Sequence, residues 1–251
     1  MRICEEDACV TNQSPAVYPA LLFDADGTLL DFDRSEYRAL TRVFQRHGYP
    51  FNDEIFQKYR AINSRAWARY EKGEIEKPII HSTRFQQLFD EAGITGDGAG
   101  FNREYLEALS EEPWTMPGAL ELCQKLSKHR TLAIASNGVS FVQRRRLKDS
   151  GLLPCFSKLF ISEEIGVMKP HAGFFDHVLA AFPQLPPQKL LIIGDSPTSD
   201  IAGGSRAGLG TCWVNFRHKP LPPGIPQPLY EVDSLEALGP LLLEAPAAAR
   251  K

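Results

Sequence analysis

The sequence predicts an α/β fold in which a parallel β-sheet, covered by helices on both faces, is interrupted by a helical insertion. The first observation is a set of short, continuous apolar runs, each closed by a polar or glycine-containing turn. The second is that helical patterns follow these runs, an alternation typical of doubly wound sheets. The third is the interval at residues 24–131, which is too long for one crossover helix.

The strands are predicted where large apolar residues run together without the alternation of a half-exposed strand. A parallel sheet buries both faces of each strand, which explains why polar residues are missing from these runs. The predicted strands are Ala20–Phe23, Leu132–Ala135, Leu159–Ile161, Leu190–Ile193 and Cys212–Val214.

Proline and glycine residues indicate where the helices that cover the sheet begin and end. Gly151 is typical of a residue that ends a helix, and Pro183 forces the chain out of one. The helices are therefore predicted directly after Pro117-Gly118, at about 140–150, at about 172–182, and from Ser234 onwards after a proline-rich loop at 220–228.

The insertion shows helical patterns only, separated by glycines. Its helices are predicted at about 34–47, 53–71, 78–92 and 102–109, with a glycine-rich loop at 96–100. The joints lie near Phe32 and Trp114. We therefore expect an N-terminal extension at 1–18, a catalytic core at 19–32 and 114–251, and a helical cap at 33–113.

Composition excludes several classes of function. The chain has 251 residues, 43% of them apolar and 24% charged, with a net charge of −3. No overall basic field recruits a nucleic acid polymer, and no apolar run is long enough for a membrane span. The basic run Arg144-Arg145-Arg146 is interpreted as an ordinary solvated helix face. Five scattered cysteines favour a reduced, cytoplasmic setting, and Cys123 and Cys212 are expected in the core.

Two acidic turns carry the strongest functional signal. Asp24-Ala25-Asp26-Gly27-Thr28 follows the first strand, and Gly194-Asp195 with Asp200 follows the fourth. The carboxyl ends of parallel strands form the ligand crevice of such sheets, so these carboxylates should converge. Two like charges ~4 Å apart repel by roughly 4 kcal/mol at an effective dielectric near 20. A bound Mg²⁺ removes that cost, because it prefers carboxylate oxygens together with phosphate and water.

Two further turns are suited to a phosphate group. Ser136-Asn137-Gly138 ends the second strand and offers a hydroxyl, an amide and main-chain N–H groups at a helix start. Lys169, held before Pro170 after the third strand, supplies a positive charge. Carboxylates, a dication, a lysine and an anion cradle together indicate phosphoryl transfer.

These segments, in this order and each after its own strand, resemble the four motifs of the haloacid dehalogenase (HAD) superfamily. The resemblance covers about residues 19–245. It implies a Rossmann-like parallel-sheet core with an inserted all-helical cap of the superfamily's first type, which closes over the site and excludes water.

The resemblance also implies roles for individual residues. Asp24 would attack phosphorus and become an aspartyl-phosphate, and Asp26 would act as acid and base. Asp26 favours a phosphatase, since the superfamily's dehalogenases lack this aspartate and its ion-pump ATPases carry threonine there. The remaining expected roles are phosphoryl binding by Ser136 and Lys169, substrate contacts by Gly27, Thr28, Asn137 and Gly138, and Mg²⁺ binding by Asp24, the main-chain carbonyl of Asp26, Asp195 and Asp200.

Structural interpretations of the same residues stay open. Asp24 and Asp26 could cap a helix, as could Asp200, and Ser136-Asn137-Gly138 could be an ordinary turn. In the cap, the side chains of Trp67, Tyr70, Arg84 and Phe85 are expected to serve packing or the surface rather than the site.

Three softer stretches resemble the pyrimidine 5′-nucleotidase branch of the superfamily, whose members accept nucleoside monophosphates. They are Phe23–Asp26 with Phe32-Asp33, residues 67–75 and residues 161–170. This branch generally carries glutamate after the second aspartate, where this chain has Gly27. We therefore expect a Mg²⁺-dependent phosphatase for a small phosphorylated metabolite, a pyrimidine nucleoside monophosphate in the first instance. The alternatives are a sugar-phosphate or phosphoglycolate phosphatase and a non-hydrolytic phosphate sensor, and the oligomeric state is left open.

Overall fold

The computed structural model describes residues 18–243 and arranges them around one parallel sheet. The predicted α/β class is confirmed. Its strands are β1 (Ala20–Phe23), β2 (Thr131–Ser136), β3 (Lys158–Ile161), β4 (Leu190–Gly194), β5 (Gly210–Val214) and β6 (Tyr230–Val232). Their order across the sheet is β3-β2-β1-β4-β5-β6. The edge strand β6 was not predicted, because it is short, carries Glu231 and is only partly buried.

Strand β1 lies in the middle of the sheet and is hydrogen-bonded on both sides. It pairs with β2 through Phe23 and Ile134, and with β4 through Phe23 and Ile193. The main-chain N–H of Asp24 continues this ladder by donating to Ile193 O at 2.9 Å. The chain winds in opposite directions from β1, so its carboxyl end is the switch point at which such sheets bind ligands.

The insertion between β1 and β2 contains four long helices with an apolar core of their own. Aromatic side chains dominate that core, with Phe44, Phe85 and Phe101 packed together. The helices are α1 (Phe32–Arg46), α2 (Asp53–Glu71), α3 (Lys77–Ala92) and α4 (Gly98–Ser110). The predicted helical insertion is therefore present, while the division into core and cap at exact residues remains our proposal.

Helix α4 begins earlier than predicted. A loop was expected at 96–100, but the helix includes Gly98. Gly98 packs against the backbone of Gln86, where an added Cβ would lie 2.4 Å from the Gln86 main-chain nitrogen. Glycine therefore serves a close helix–helix approach here instead of breaking the helix.

Shorter helices cover the two faces of the sheet, and each face buries its own apolar cluster. Helix α10 starts at Leu238 rather than at the predicted Ser234, since a turn precedes it. The remaining helices are α5 (Ala119–Leu126), α6 (Ser140–Asp149), α7 (Ser162–Ile165), α8 (Ala172–Ala180) and α9 (Ala202–Arg206).

The ends of the chain lie largely outside the described residues. Of the predicted extension at 1–18, only Tyr18 is described, and it is buried in the sheet core beside Tyr230. Residues 244–251 also lie outside the described range. Cys123 and Cys212 are fully buried, as predicted. Among residues 18–243, no helix combines the length and apolarity that a membrane crossing needs.

Candidate active site

Asp24 and Lys169 form the centre of the site at the carboxyl end of β1. Lys169 Nζ lies 2.7 Å from Asp24 Oδ1 and 2.7 Å from Asp200 Oδ1, and it also donates to Ala135 O at 2.5 Å. Burial disfavours the lysine's charge, but the carboxylates of Asp200 and Asp24 outweigh it and raise the pKa of Lys169. The lysine therefore stays cationic between two carboxylates.

Asp24, Asp195 and Asp200 form a carboxylate triad. One carboxylate oxygen from each lies within 4.8 Å of the others. Burial and the carboxylates of Asp200 and Asp195 hold the pKa of Asp24 well above its usual range, although Lys169 opposes this. Asp195 remains accessible from the solvent, yet loss of surrounding water and the nearby Asp200 raise its pKa to about 7. One lysine thus does not fully compensate the triad's negative charge.

The triad fits the expected Mg²⁺ ion. Its ligand atoms are all hard carboxylate oxygens, which Mg²⁺ prefers, and the raised pKa values show that a further positive charge would stabilise the ionised form. Asp200 is fully buried and also accepts from the Ser196 main-chain N–H at 3.1 Å, so it ties the turn after β4 to the triad. The carboxylate of Asp26 is engaged elsewhere, and binding of the ion by its main-chain carbonyl stays a prediction.

Asp26 is held by two side chains of α6. Arg146 Nη1 donates to Asp26 Oδ1 at 2.5 Å, and Gln143 Nε2 donates to Asp26 Oδ2 at 2.5 Å. Both donors are buried. The interpretation of Arg144-Arg145-Arg146 as a solvated face is therefore wrong for Arg146, which belongs to the site. It is right for the other two, which are exposed and pair with surface glutamates.

The loop after β2 is fixed by internal hydrogen bonds. Ser136 Oγ is buried and accepts from the Gly138 main-chain N–H at 3.0 Å and from Gln143 Nε2 at 3.0 Å. Asn137 uses both ends of its amide on Lys169, donating to its carbonyl at 2.8 Å and accepting from its N–H at 2.9 Å. The Asn137 side chain thus joins this loop to the Lys169 turn.

Gly27 and Thr28 lie directly against the carboxylates of Asp195 and Asp24. Thr28 is fully buried and its hydroxyl donates to Asp24 Oδ2 at 3.4 Å. Gly27 has a φ of 80°, in the left-handed region, and an added Cβ would lie 2.6 Å from Asp195 Oδ2. Glycine is therefore required here both for the turn and for the approach of the two acidic segments.

A cavity of about 240 Å³ lies between the sheet and the insertion. Its floor, as we call the sheet side, consists of Asp24, Asp26, Ser136, Lys169 and Asp195. Its roof, contributed by the insertion, consists of Asn63, Trp67, His81, Arg84 and Tyr105. Trp67 and Arg84, expected to serve packing or the surface, thus also line the cavity, and a role of either in binding substrate is a separate prediction. Phe85 is buried in the helical core, as predicted.

Lys77, at the start of α3, joins the insertion to the floor. Its Nζ donates to the carbonyls of Asn137 and Gly138 at 2.8 and 3.0 Å, and to Ser162 Oγ at 3.0 Å. Burial lowers the pKa of Lys77 to about 8, against a weaker opposing effect of Glu163. A second link runs from Thr198 Oγ1 to Glu71 Oε2, at 2.8 Å.

Residues 18–208 match the family model described as haloacid dehalogenase-like hydrolase. The chain belongs to this family. Its membership accounts for the order of the four motifs along the sheet and for the helical insertion after β1.

Several relatives of known name cover nearly the whole chain. The HAD-hydrolase YfnB of Bacillus subtilis is 41% identical over 88% of this chain and 94% of its own length. The pyrimidine 5′-nucleotidases YjjG of Escherichia coli and PynA of Streptococcus pneumoniae are 36% and 37% identical, each over 88% of this chain and 96% and 93% of their own lengths. The crystal structure of YfnB bound to magnesium superimposes with a TM-score of 0.86 over 90% of this chain and 99% of YfnB.

Sequence reasoning missed several residues of this HAD-family site, among them Lys77, Arg84, Gln143 and Arg146. A signal existed for two of them. Val142, Gln143, Arg146 and Leu147 have the spacing of one inward helix face, so the two polar members should have been placed beside the apolar ones. Arg84 and Lys77 belong to the insertion, where the family's motifs give no guidance.

Proposed function

We propose that this protein is a Mg²⁺-dependent phosphate-monoester hydrolase that acts through an aspartyl-phosphate on Asp24, with pyrimidine nucleoside 5′-monophosphates as substrates. The observation that carries the proposal is the floor itself. A buried carboxylate lies 2.7 Å from a buried lysine, and a second aspartate is held beside it by an arginine and a glutamine.

The first half-reaction transfers the phosphoryl group to the enzyme. An Asp24 carboxylate oxygen attacks phosphorus, the P–O bond to the ester oxygen breaks, and the leaving alkoxide takes a proton from Asp26. Lys169 compensates negative charge on Asp24 and on the phosphoryl oxygens, and Ser136 binds one of those oxygens. Mg²⁺ held by Asp24, Asp195 and Asp200 would neutralise phosphate charge during the transfer.

The second half-reaction releases phosphate. A water molecule gives a proton to Asp26 as it attacks phosphorus, the bond between phosphorus and Asp24 breaks, and the carboxylate is restored. The buried pair of Arg146 and Gln143 fixes the Asp26 carboxylate in both steps, since each oxygen is bound by one of them. The insertion covers the cavity and excludes other water.

Relatedness supports the nucleotide as substrate. YjjG and PynA are pyrimidine 5′-nucleotidases by name, and both align with 88% of this chain. The proposed partner is thus a small nucleoside monophosphate, and the cytoplasmic setting remains a proposal.

The test is phosphate release across a panel of UMP, CMP, dTMP, AMP, ribose 5-phosphate, phosphoglycolate and an aryl phosphate, with and without Mg²⁺. We expect hydrolysis that stops in excess EDTA and is restored by added Mg²⁺, with the pyrimidine nucleotides preferred. Activity that persists in EDTA would remove the metal from the proposal. Equal or better hydrolysis of the sugar phosphate or phosphoglycolate would replace the nucleotidase assignment. A folded sample that hydrolyses nothing would favour a phosphate sensor.

A further inference from the structure

The roof contains a buried cation with an unused hydrogen-bond donor. Arg84 is only 3% exposed, and within residues 18–243 it forms no direct ion pair, although the buried Glu36 carboxylate is near enough for the two charges to interact. Its Nε donates to Asn102 Oδ1 and its Nη1 to Asn63 Oδ1, both at 2.9 Å. Its Nη2 has no hydrogen-bond partner within residues 18–243. A donor buried in this way is costly unless something outside the chain accepts from it.

Two more unpartnered polar atoms lie on the roof side of the same cavity. The hydroxyl of Tyr105 is one, on a side chain that is 1% exposed, and Nε2 of His81 is the other, again counting only the described part of the chain. Burial, then the positive charges of Arg84 and Lys77, lower the pKa of His81 to about 4, so the ring is neutral. Proteins rarely leave several buried polar groups unsatisfied at one place without a ligand to satisfy them.

The chemistry of the roof selects the ligand. Arg84 Nη2 is a donor only, so its partner is an acceptor. Because Nε and Nη1 already donate hydrogen bonds to two asparagines, the guanidinium is poorly arranged for the paired, parallel bonds that carboxylates form with arginine. The surrounding walls are aromatic or aliphatic, with Trp67, Leu106 and Leu109. A flat ring with a carbonyl oxygen meets all three conditions.

We propose that Arg84, Tyr105 and His81 form a subsite that recognises the base of the substrate, with Arg84 Nη2 donating to a ring carbonyl of a pyrimidine. Every pyrimidine base of the nucleotides carries the O2 carbonyl, whereas adenine has none. This inference rests on the proposed nucleotidase function and assigns its specificity to the roof, on the opposite side of the cavity from the floor that handles phosphate.

The test uses two variants and a probe that lacks phosphate. Uridine should competitively inhibit aryl phosphate hydrolysis by the wild type, and adenosine should inhibit much less. Arg84→Lys should weaken uridine inhibition about tenfold and lower the ratio of kcat/KM for UMP to kcat/KM for the aryl phosphate by a similar factor. Tyr105→Phe should change both in the same direction by a few-fold. Arg65→Lys, on the exposed face of α2, is the matched control and should change neither.

The outcomes separate this inference from the proposed function. A wild type that prefers pyrimidine nucleotides, with variants that keep both the preference and uridine inhibition, would overturn the base subsite alone. Equal losses for UMP and the aryl phosphate would show that Arg84 merely supports the fold, which also overturns it. If the wild type prefers phosphoglycolate and Arg84→Lys loses that preference, the roof contains a carboxylate subsite instead. A wild type that shows no preference for nucleotides over ribose 5-phosphate defeats the proposed function, while uridine inhibition still tests the roof.

Discussion

The floor and the roof of the cavity differ in how completely their polar groups are paired. On the floor, Lys169 bridges two carboxylates, and both oxygens of Asp26 accept from buried donors, with Gln143 Oε1 the exception among these described side chains in having no partner. On the roof, Arg84, Tyr105 and His81 each keep a polar atom without a partner in the described chain. The floor is therefore assembled before any ligand arrives, whereas the roof is completed by one. We infer that the floor carries the chemistry that the family shares, whereas the roof carries the substrate recognition that varies among its members.

The largest effect should come from the floor's central carboxylate. Asp24→Asn replaces a nucleophilic oxygen with an amide that does not attack phosphorus, so kcat should fall by at least about a thousandfold. Thermal unfolding should shift little, because the substitution also removes a buried negative charge. Steady-state hydrolysis of UMP and calorimetry measure the two effects. Asp176→Asn on the exposed surface of α8 makes the same chemical change and should leave activity intact. Substantial activity in Asp24→Asn would contradict the covalent route.

The helical insertion behind the roof should respond through stability and pH. Glu36 is 3% exposed, and burial raises its pKa from 4.5 to about 7 despite the opposing effect of Arg84. A carboxyl group whose pKa is higher in the folded than in the unfolded state does not destabilise the protein at a pH below the unfolded pKa. Its ionisation destabilises the protein fully at a pH above the folded pKa. The Glu36→Gln variant should therefore gain ~3 kcal/mol in unfolding free energy, relative to wild type, between about pH 4.5 and pH 7.

Urea denaturation of both proteins at pH 5 and pH 8 measures that gain. The unfolding free energy of the variant minus that of the wild type should be larger at pH 8 than at pH 5. The exposed Glu91→Gln serves as the control and should show no such pH dependence. A constant stability difference for Glu36→Gln across this range would mean that the insertion tolerates the ionised carboxylate, and that Glu36 is better paired than the structure indicates.

An intermediate effect should follow from loosening the floor without removing a reacting group. Gln143→Met keeps the side-chain volume but removes the donor to Asp26 and Ser136, so kcat should fall about tenfold, with KM changing less. The pH profile of kcat should move as well, because the environment of Asp26 changes. Gln87→Met, exposed on α3, is the control. If KM rises while kcat and its pH profile stay the same, Gln143 does not position Asp26.

The smallest effect should come from the basic run of α6 outside the cavity. Arg144 pairs with Glu164 at 2.7 Å, with half of its side chain exposed. Exposed pairs of this kind contribute about 0–1 kcal/mol, so Arg144→Ala should change the unfolding free energy by less than that and leave kcat unchanged. Urea denaturation and UMP hydrolysis are the measurements. A large loss of activity would place this outer face in the site after all.

The sequence predicted the floor well because its chemistry lies in short segments directly after buried strands. The runs Ala20–Phe23 and Leu190–Ile193 can be recognised as buried strands because all of their residues are apolar. A parallel sheet of the α/β class then brings their carboxyl ends together. Asp24, Asp195 and Lys169 could thus be placed near one another before any contact was known. Their roles in catalysis remain predictions for the experiments above.

The roof was beyond prediction because helix faces turn through space without a strand end to anchor them. Arg84 sits among apolar neighbours on α3, and only the packing of α2, α3 and α4 shows that it faces a cavity. Arg146 was misread for a related reason: three consecutive arginines look alike in sequence, while the helix sends one of them inward and two outward. Charge runs need to be resolved residue by residue on a helical wheel.

The position after Asp26 has a consequence for how this chain can change. The left-handed φ of Gly27 and the 2.6 Å gap to the Asp195 carboxylate mean that any side chain there would turn that carboxylate away from its two neighbours. A library randomised at residue 27 alone should therefore be enriched in glycine among its active clones, and a larger residue there should persist only where the Asp195 side chain can move aside.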